Sequence, residues 1–141
     1  MPTVLIADKT DALAKQILEA AGITVITETG LKEDQLAERA KTVDGIIVRS
    51  ESTITRKILQ SGAGKLKIVG RAGVGVDNID LDAATEVGII VENTPFGNIT
   101  SAAEHALALM MSLSRKIPSA SEKMKAGVWA KKENTGVEMD G

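Results

Sequence analysis

Short apolar runs, rich in β-branched residues, recur along the first ninety residues, and longer stretches with helical spacing separate them. Four of the five runs lack the alternation of apolar and polar positions that marks a half-exposed strand. Such continuous runs are typical of strands in a parallel sheet that is covered on both faces. The pattern predicts strands at residues 3–7, 24–27, 45–48, 67–70 and 89–92.

The stretches between the runs predict crossover helices. Glycines at 22, 62 and 88 stand where helices are expected to end, and either Asp80 or Asp82 is expected to cap a short helix over residues 83–86. Five strands with four crossovers before residue 93 predict an α/β fold, a flavodoxin-like doubly wound five-stranded parallel sheet. Fold statistics favour the strand order 2-1-3-4-5.

The alternation of short strands and crossover helices ends at Asn93. Ser101 and Glu104 have the spacing of a capping box, which predicts a helix from there to about Arg115. This helix is apolar on nearly every side and is therefore expected to lie between two layers. Pro118 follows, then a weaker helical stretch at 119–127 and a tail with no periodicity and no expected partner in the chain. The predicted organisation is a domain at 1–98, then an interdomain helix and arm at 99–141.

Composition excludes several function classes. With 17 Lys and Arg against 19 Asp and Glu, the formal net charge is -2, so the chain has no basic field to attract nucleic acid or an anionic membrane. Without cysteine there is no disulfide or thiolate chemistry, and one histidine cannot form a paired-histidine metal site. The amino terminus turns acidic too early for a signal peptide, and a cytoplasmic protein is expected.

Two arginines follow neighbouring strands in the predicted sheet. Arg49 and Arg71 are expected at adjacent carboxyl ends, where ligands of parallel sheets bind and where two guanidinium groups can hold one anion. The glycines at 73 and 75 predict a turn with positive φ that presents bare N–H groups to the ligand. The alternative is a tight strand exit whose arginines pair with acidic neighbours, namely Asp77, Asp80 or Glu51.

The sequence matches neither the nucleotide-binding motifs nor an acid-base pair. A dinucleotide loop that begins Gly73-x-Gly75 needs a third glycine at the position of Asn78, and no phosphate-binding P-loop is present. Glu104 and His105 are helix neighbours whose side chains diverge, so they are not expected to form a proton relay.

Several longer strings resemble the NAD-dependent D-2-hydroxyacid dehydrogenases. They are VRS at 48–50, GRAGVGVDNIDLDAAT at 70–85, NTPFGN at 93–98 and SAAE at 101–104. The resemblance implies a substrate-binding domain for a small anionic 2-hydroxy acid, with 3-phosphoglycerate, at the entry to serine biosynthesis, as the expected substrate. The implied substrate-binding residues are Arg49, Ser50, Arg71, Gly73, Val74, Gly75 and Asn98, with Val74 also touching the nicotinamide end of NAD.

The same resemblance implies what this chain lacks. In the family, the dinucleotide-binding domain and the catalytic arginine, glutamate and histidine follow a segment like the final GVEMDG. The chain is therefore expected to be an N-terminal portion that binds no cofactor alone and is not catalytic alone. The alternative hypothesis is a non-catalytic, self-associating module. In either case a homodimer through the 101–115 helix and the C-terminal arm is expected.

Overall fold

The computed structural model describes residues 1–139. Its five strands form one parallel sheet in the order β2-β1-β3-β4-β5, which confirms the predicted fold class and strand order. The elements of this part of the chain are β1 (Thr3–Ile6), α1 (Ala12–Ala20), β2 (Thr24–Thr27), α2 (Glu33–Ala40), β3 (Gly45–Val48), α3 (Arg56–Gly62), β4 (Ile68–Arg71), α4 (Leu81–Val87), β5 (Ile90–Asn93), α5 (Ile99–Ser114) and α6 (Ile117–Lys125).

The buried core lies on one face of the sheet. Leu5, Ile46 and Val69 are at most 1% exposed and pack with apolar residues of α2, α3 and α4. Right-handed crossovers place α1 on the opposite face, since β1 to β2 runs against the direction of the later connections. Helix α1 buries none of its residues, and Ile90 of β5 stays 59% exposed. The two faces of this sheet are therefore covered unequally.

The ends of α4 and α3 explain three of the sequence signals. Asp80, not Asp82, is the N-cap, and its side chain accepts the Ala83 N–H at 2.8 Å. Gly88 ends the helix in the left-handed region, with φ of 71°. Gly62 is the last residue of α3, as predicted, and a Cβ there would lie 2.8 Å from the Leu66 Cβ. Its role is close packing rather than a left-handed turn.

Residues Met1–Gly97 form one compact unit, and a second unit begins at Asn98. Helix α5 begins at Ile99, with Asn98 as its N-cap and no side-chain capping bond, so the predicted capping box is wrong. Ser101 already lies within the helix, where it cannot cap the first turn. Helix α6 begins at Ile117, earlier than predicted, because Pro118 lies in its first turn, where a missing N–H is tolerated.

The tail has partners within the second unit, which corrects the prediction that it has none. The Val137 N–H donates to the Ser114 carbonyl at 2.9 Å, and Lys116 Nζ donates to the Glu133 carbonyl at 3.2 Å. A Cβ on Gly136 would lie 2.3 Å from the Ser114 oxygen, so only glycine allows this approach. Over residues 1–139, no helix is both long enough and apolar enough to span a bilayer.

Candidate anion site at the carboxyl edge of the sheet

The pairing of β3 with β4 brings the two arginine-bearing loops together. Val48 pairs with Arg71 in the parallel register, and the Ala72 N–H donates to the Val48 carbonyl at 2.8 Å. Arg49 therefore leaves β3 directly beside the end of β4. Both side chains start from the same edge of the sheet, which is where parallel sheets bind ligands.

The Arg71 side chain is folded against its own loop and is only 11% exposed. Its guanidinium donates to the Gly75 carbonyl, and its Nη2 lies 3.6 Å from the Asp77 carboxylate. The partial pairing with Asp77 agrees with the alternative interpretation of the sequence. However, Arg71 Nε is buried and has no hydrogen-bond partner within residues 1–139. A buried donor of this kind needs an acceptor such as a water or a ligand oxygen.

The glycine loop does not have the geometry expected from the sequence. Neither Gly73 nor Gly75 has positive φ, and the Gly73 N–H donates to the Arg71 carbonyl at 2.9 Å, so the predicted positive-φ turn is wrong. The glycines provide room instead. A Cβ on Gly73 would lie 3.2 Å from Arg71 Nη1, and a Cβ on Gly75 would lie 3.1 Å from that atom and 2.8 Å from Asp77 Oδ1. The guanidinium thus rests on bare backbone.

Arg49 is exposed and is much less constrained than Arg71. Its Nη1 donates to the Lys9 carbonyl at 3.4 Å, and none of the ion pairs within the described chain involves Arg49. Ser50, the next residue, is also exposed. Arg49 thus remains available to an anion at the sheet edge, without the carboxylate pairing to Glu51 that the alternative interpretation allowed.

The end of β5 fixes the glycine loop from the other side. Asn93 Nδ2 donates to the Val74 carbonyl at 2.6 Å, and the Thr94 N–H donates to the Gly73 carbonyl at 3.0 Å. The Val74 side chain itself is 44% exposed. The loop therefore presents an apolar side chain while its backbone is held in place.

Two side chains that sequence reasoning missed fix the Arg49 loop, namely Asp8 and Asn78. The Asp8 carboxylate is 1% exposed and accepts three hydrogen bonds from residues of that loop. Burial alone would raise the pKa of Asp8, but hydrogen bonds from the Ser52 hydroxyl and from loop backbone N–H groups outweigh it and hold the pKa below its usual value. An acid directly after the apolar run VLIA was the available signal for Asp8. Asn78 was noted only as the residue that breaks a glycine motif.

A cavity of about 380 Å³ opens beside the site, between the loop after β1 and the ends of β3, β4 and β5. Arg71 lines it and Arg49 does not, so the two arginines flank the edge rather than share this cavity. Asn98 belongs to the second unit. Its position in the cleft of the site therefore stays a prediction.

The glycine loop does not fit a dinucleotide phosphate site. The Gly73 N–H and the Gly75 carbonyl are already bonded within the loop, and α4 begins only at Leu81. A dinucleotide site needs free backbone N–H groups and a helix that starts at the glycines. Residues 1–139 also contain no group of three or more acidic or histidine side chains placed to hold a metal ion.

Comparison with known proteins identifies the family. The sequence profile of the D-isomer specific 2-hydroxyacid dehydrogenase catalytic domain matches residues 4–136. The chain belongs to this family. Its curated relatives include D-3-phosphoglycerate dehydrogenases. The Synechocystis enzyme is 46% identical over 139 residues, which is 99% of this chain and 25% of that protein. The human enzyme is 44% identical over 138 residues, which is 98% of this chain and 26% of that protein.

Solved structures support the same assignment to the family. The PH0520 protein from Pyrococcus horikoshii superposes with a TM-score of 0.82 at 30% identity, over 92% of this chain and 38% of that one. The 3-phosphoglycerate dehydrogenase of Entamoeba histolytica, solved with NAD⁺ bound, superposes with a TM-score of 0.72 at 32% identity, over 98% of this chain and 43% of that one. The chain thus spans about a quarter of its curated relatives and less than half of these two structures.

Proposed function

We propose that this chain binds a small anionic 2-hydroxy acid, 3-phosphoglycerate, as the substrate-binding portion of an NAD-dependent phosphoglycerate dehydrogenase. The observation that carries the proposal is the Arg71 guanidinium, nearly buried at the carboxyl edge of the sheet with an unpartnered Nε among the described residues. Arg49, on the adjacent loop, adds a second positive charge to this edge, and Ser50 beside it adds a hydroxyl group. Planar guanidinium groups suit both carboxylate and phosphate.

The proposal assigns catalysis to the whole enzyme, not to this chain alone. The whole enzyme would oxidise 3-phosphoglycerate to 3-phosphohydroxypyruvate, the entry step of serine biosynthesis, with NAD as the hydride acceptor. In that enzyme the exposed Val74 would contact the nicotinamide end of the cofactor, and Asn98 would line the cleft. The geometry of the Gly73–Gly75 loop supports no pyrophosphate site at that loop.

Calorimetric titration of the chain with 3-phosphoglycerate tests the proposal. We expect a dissociation constant near ~1 mM, since a few charge-assisted hydrogen bonds at a partly open site give about 4 kcal/mol of binding free energy. Glycerol, which has no negative charge, is the control ligand and is expected to produce no saturable heat. A folded sample that binds neither compound at concentrations well above ~1 mM would refute the proposal.

A second candidate function, self-association, rests on the exposed apolar surface of α5. Large apolar side chains of this helix are 49% to 80% exposed: Leu107, Leu109, Met110, Met111 and Leu113. Helix α5 buries none of its residues. Contiguous apolar surface of this kind is typical of an interface. We expect the chain to form homodimers through α5 and the arm, with a dimer mass in light scattering. A monomer mass at high concentration would contradict this.

A further inference from the structure

The loop that carries Arg49 and Ser50 is held at both ends by the same two side chains. Asp8 Oδ2 accepts the backbone N–H groups of Arg49 and Ser52, at 2.6 and 3.1 Å. Asn78 Nδ2 donates to the backbone carbonyls of the same two residues, at 2.7 and 2.6 Å. Arg49 and Ser52, at the two ends of the loop, therefore each have both the backbone N–H and the backbone carbonyl hydrogen-bonded.

The Asp8 side chain and the Asn78 backbone are themselves held in place. Asp8 lies just beyond β1, is almost fully buried and also accepts the Ser52 hydroxyl at 2.5 Å. The Asn78 backbone carbonyl accepts the Ile54 N–H at 2.8 Å, and Ile54 forms an isolated parallel bridge with Ile79, whereas the buried Asn78 Oδ1 has no partner among residues 1–139. Residues fixed in this way can hold a neighbouring loop in one conformation.

Asn78 also connects the two arginine-bearing loops. It directly follows the Gly73–Asp77 segment, on whose backbone the Arg71 guanidinium rests. Its side chain reaches the backbone of the Arg49 loop, 29 and 26 residues away in sequence. The relative position of the two loops, and hence of the two cationic side chains, therefore depends on Asn78.

We propose that Asp8 and Asn78 are positioning residues of the anion site, which act by holding Arg49 and Ser50 beside Arg71 without contacting the ligand. The inference rests on the proposed function, because it assigns the supporting side chains of that same site. It explains why an asparagine stands where a dinucleotide loop would have glycine. The Asn78 amide NH₂ supplies two donors, one for each carbonyl, which a glycine cannot do.

The variant Asn78→Asp removes the two hydrogen bonds from Nδ2 without changing the size of the side chain. A carboxylate has the shape of the amide but only acceptors, so it faces the Arg49 and Ser52 carbonyls without a hydrogen bond. The freed loop has to be reordered when ligand binds. We expect a roughly tenfold weaker affinity for 3-phosphoglycerate, measured on the folded fraction by calorimetric titration.

Asp44→Asn is the matched control. Asp44 Oδ2 accepts the Thr3 N–H at 2.8 Å across 41 residues, the same separation at which Asp8 accepts the Arg49 N–H. Asp44 lies just before β3, at the opposite edge of the sheet from the site. We expect this variant to lower the urea midpoint while leaving the affinity of folded protein within about twofold of wild type.

A double variant shows whether Asn78 acts through Arg49. In an Arg49→Ala background, Asn78→Asp is expected to weaken binding much less than in the wild-type background, because the side chain it positions is gone. If Asn78→Asp does not fold, the milder Ser52→Ala, which removes one bond to Asp8, replaces it, with an expected two- to threefold loss. Urea denaturation of each variant supplies the folded fraction.

The outcomes separate the two proposals. If the wild-type chain binds and folded Asn78→Asp binds with the same affinity, the positioning role is overturned and the proposed function is not. Where Asn78→Asp does not fold, an unchanged affinity of folded Ser52→Ala has the same consequence. Equal losses in the two backgrounds would also overturn the positioning role. Failure of the wild-type chain to bind would refute the proposed function and the positioning role with it. Both proposals are supported if Asn78→Asp weakens binding while Asp44→Asn does not, and if the effect of Asn78→Asp disappears in the Arg49→Ala background.

Discussion

Arg71→Met is expected to abolish measurable binding of 3-phosphoglycerate, raising the dissociation constant by roughly thirtyfold or more. The guanidinium is only 11% exposed, so its hydrogen bonds to an anion are poorly screened by water. Its Nε has no partner among residues 1–139, and a ligand oxygen bound there forms a bond that methionine cannot form. Arg71→Lys is expected to recover only part of the affinity, because an ammonium keeps the charge without the planar fork.

Arg56→Met controls for loss of a guanidinium elsewhere. Arg56 pairs with Glu86, lies 3.8 Å from Asp80 and does not line the cavity beside Arg71. We expect this variant to bind 3-phosphoglycerate as the wild type does. The account of the site is contradicted if folded Arg71→Met keeps the wild-type affinity, or if Arg56→Met loses as much as Arg71→Met.

The largest expected effect on stability comes from Asp8→Ala. The substitution leaves three donors without their acceptor, namely the N–H groups of Arg49 and Ser52 and the Ser52 hydroxyl. Unsatisfied buried donors destabilise a fold by roughly 1 to 3 kcal/mol each, so a loss of about 3 kcal/mol or more in the free energy of unfolding is expected. Urea denaturation near neutral pH measures it.

The loss is expected to depend on pH. Because the pKa of Asp8 is lower in the folded protein than in the unfolded chain, its ionised form stabilises the fold. That contribution is complete above the unfolded pKa, near ~4, and disappears as the pH falls through the folded pKa. The difference between wild type and Asp8→Ala should therefore shrink in acid. A difference that stays constant from neutral pH to below ~4 would contradict an ionised Asp8.

The fold was predictable from the sequence because its determinants are local. Uninterrupted apolar runs such as GIIV at 45–48 identify buried parallel strands without any knowledge of their partners. Position at a strand end then identified Arg49 and Arg71 as neighbours, since the carboxyl ends of parallel strands share an edge.

The side-chain detail of the site was not predictable in the same way. The Asp8 bonds cross 41 to 44 residues, so the position of Asp8 after an apolar run marks a strand end but does not reveal its partners. The glycines at 73 and 75 were expected to supply positive φ, but they instead leave space for the Arg71 guanidinium. A local motif also misled at Ser101 and Glu104, because the chain is already helical from Ile99.

Backbone amide chemical shifts, followed by NMR while 3-phosphoglycerate is added, test the central claim most directly. The account predicts saturable shifts with one common dissociation constant at the two neighbouring loops, namely Arg49 and Ser50 on one and Gly73 to Gly75 on the other. Amides at the opposite edge of the sheet, such as Thr3, should stay unchanged. Shifts that saturate elsewhere, or on only one of the two loops, would contradict a shared anion site.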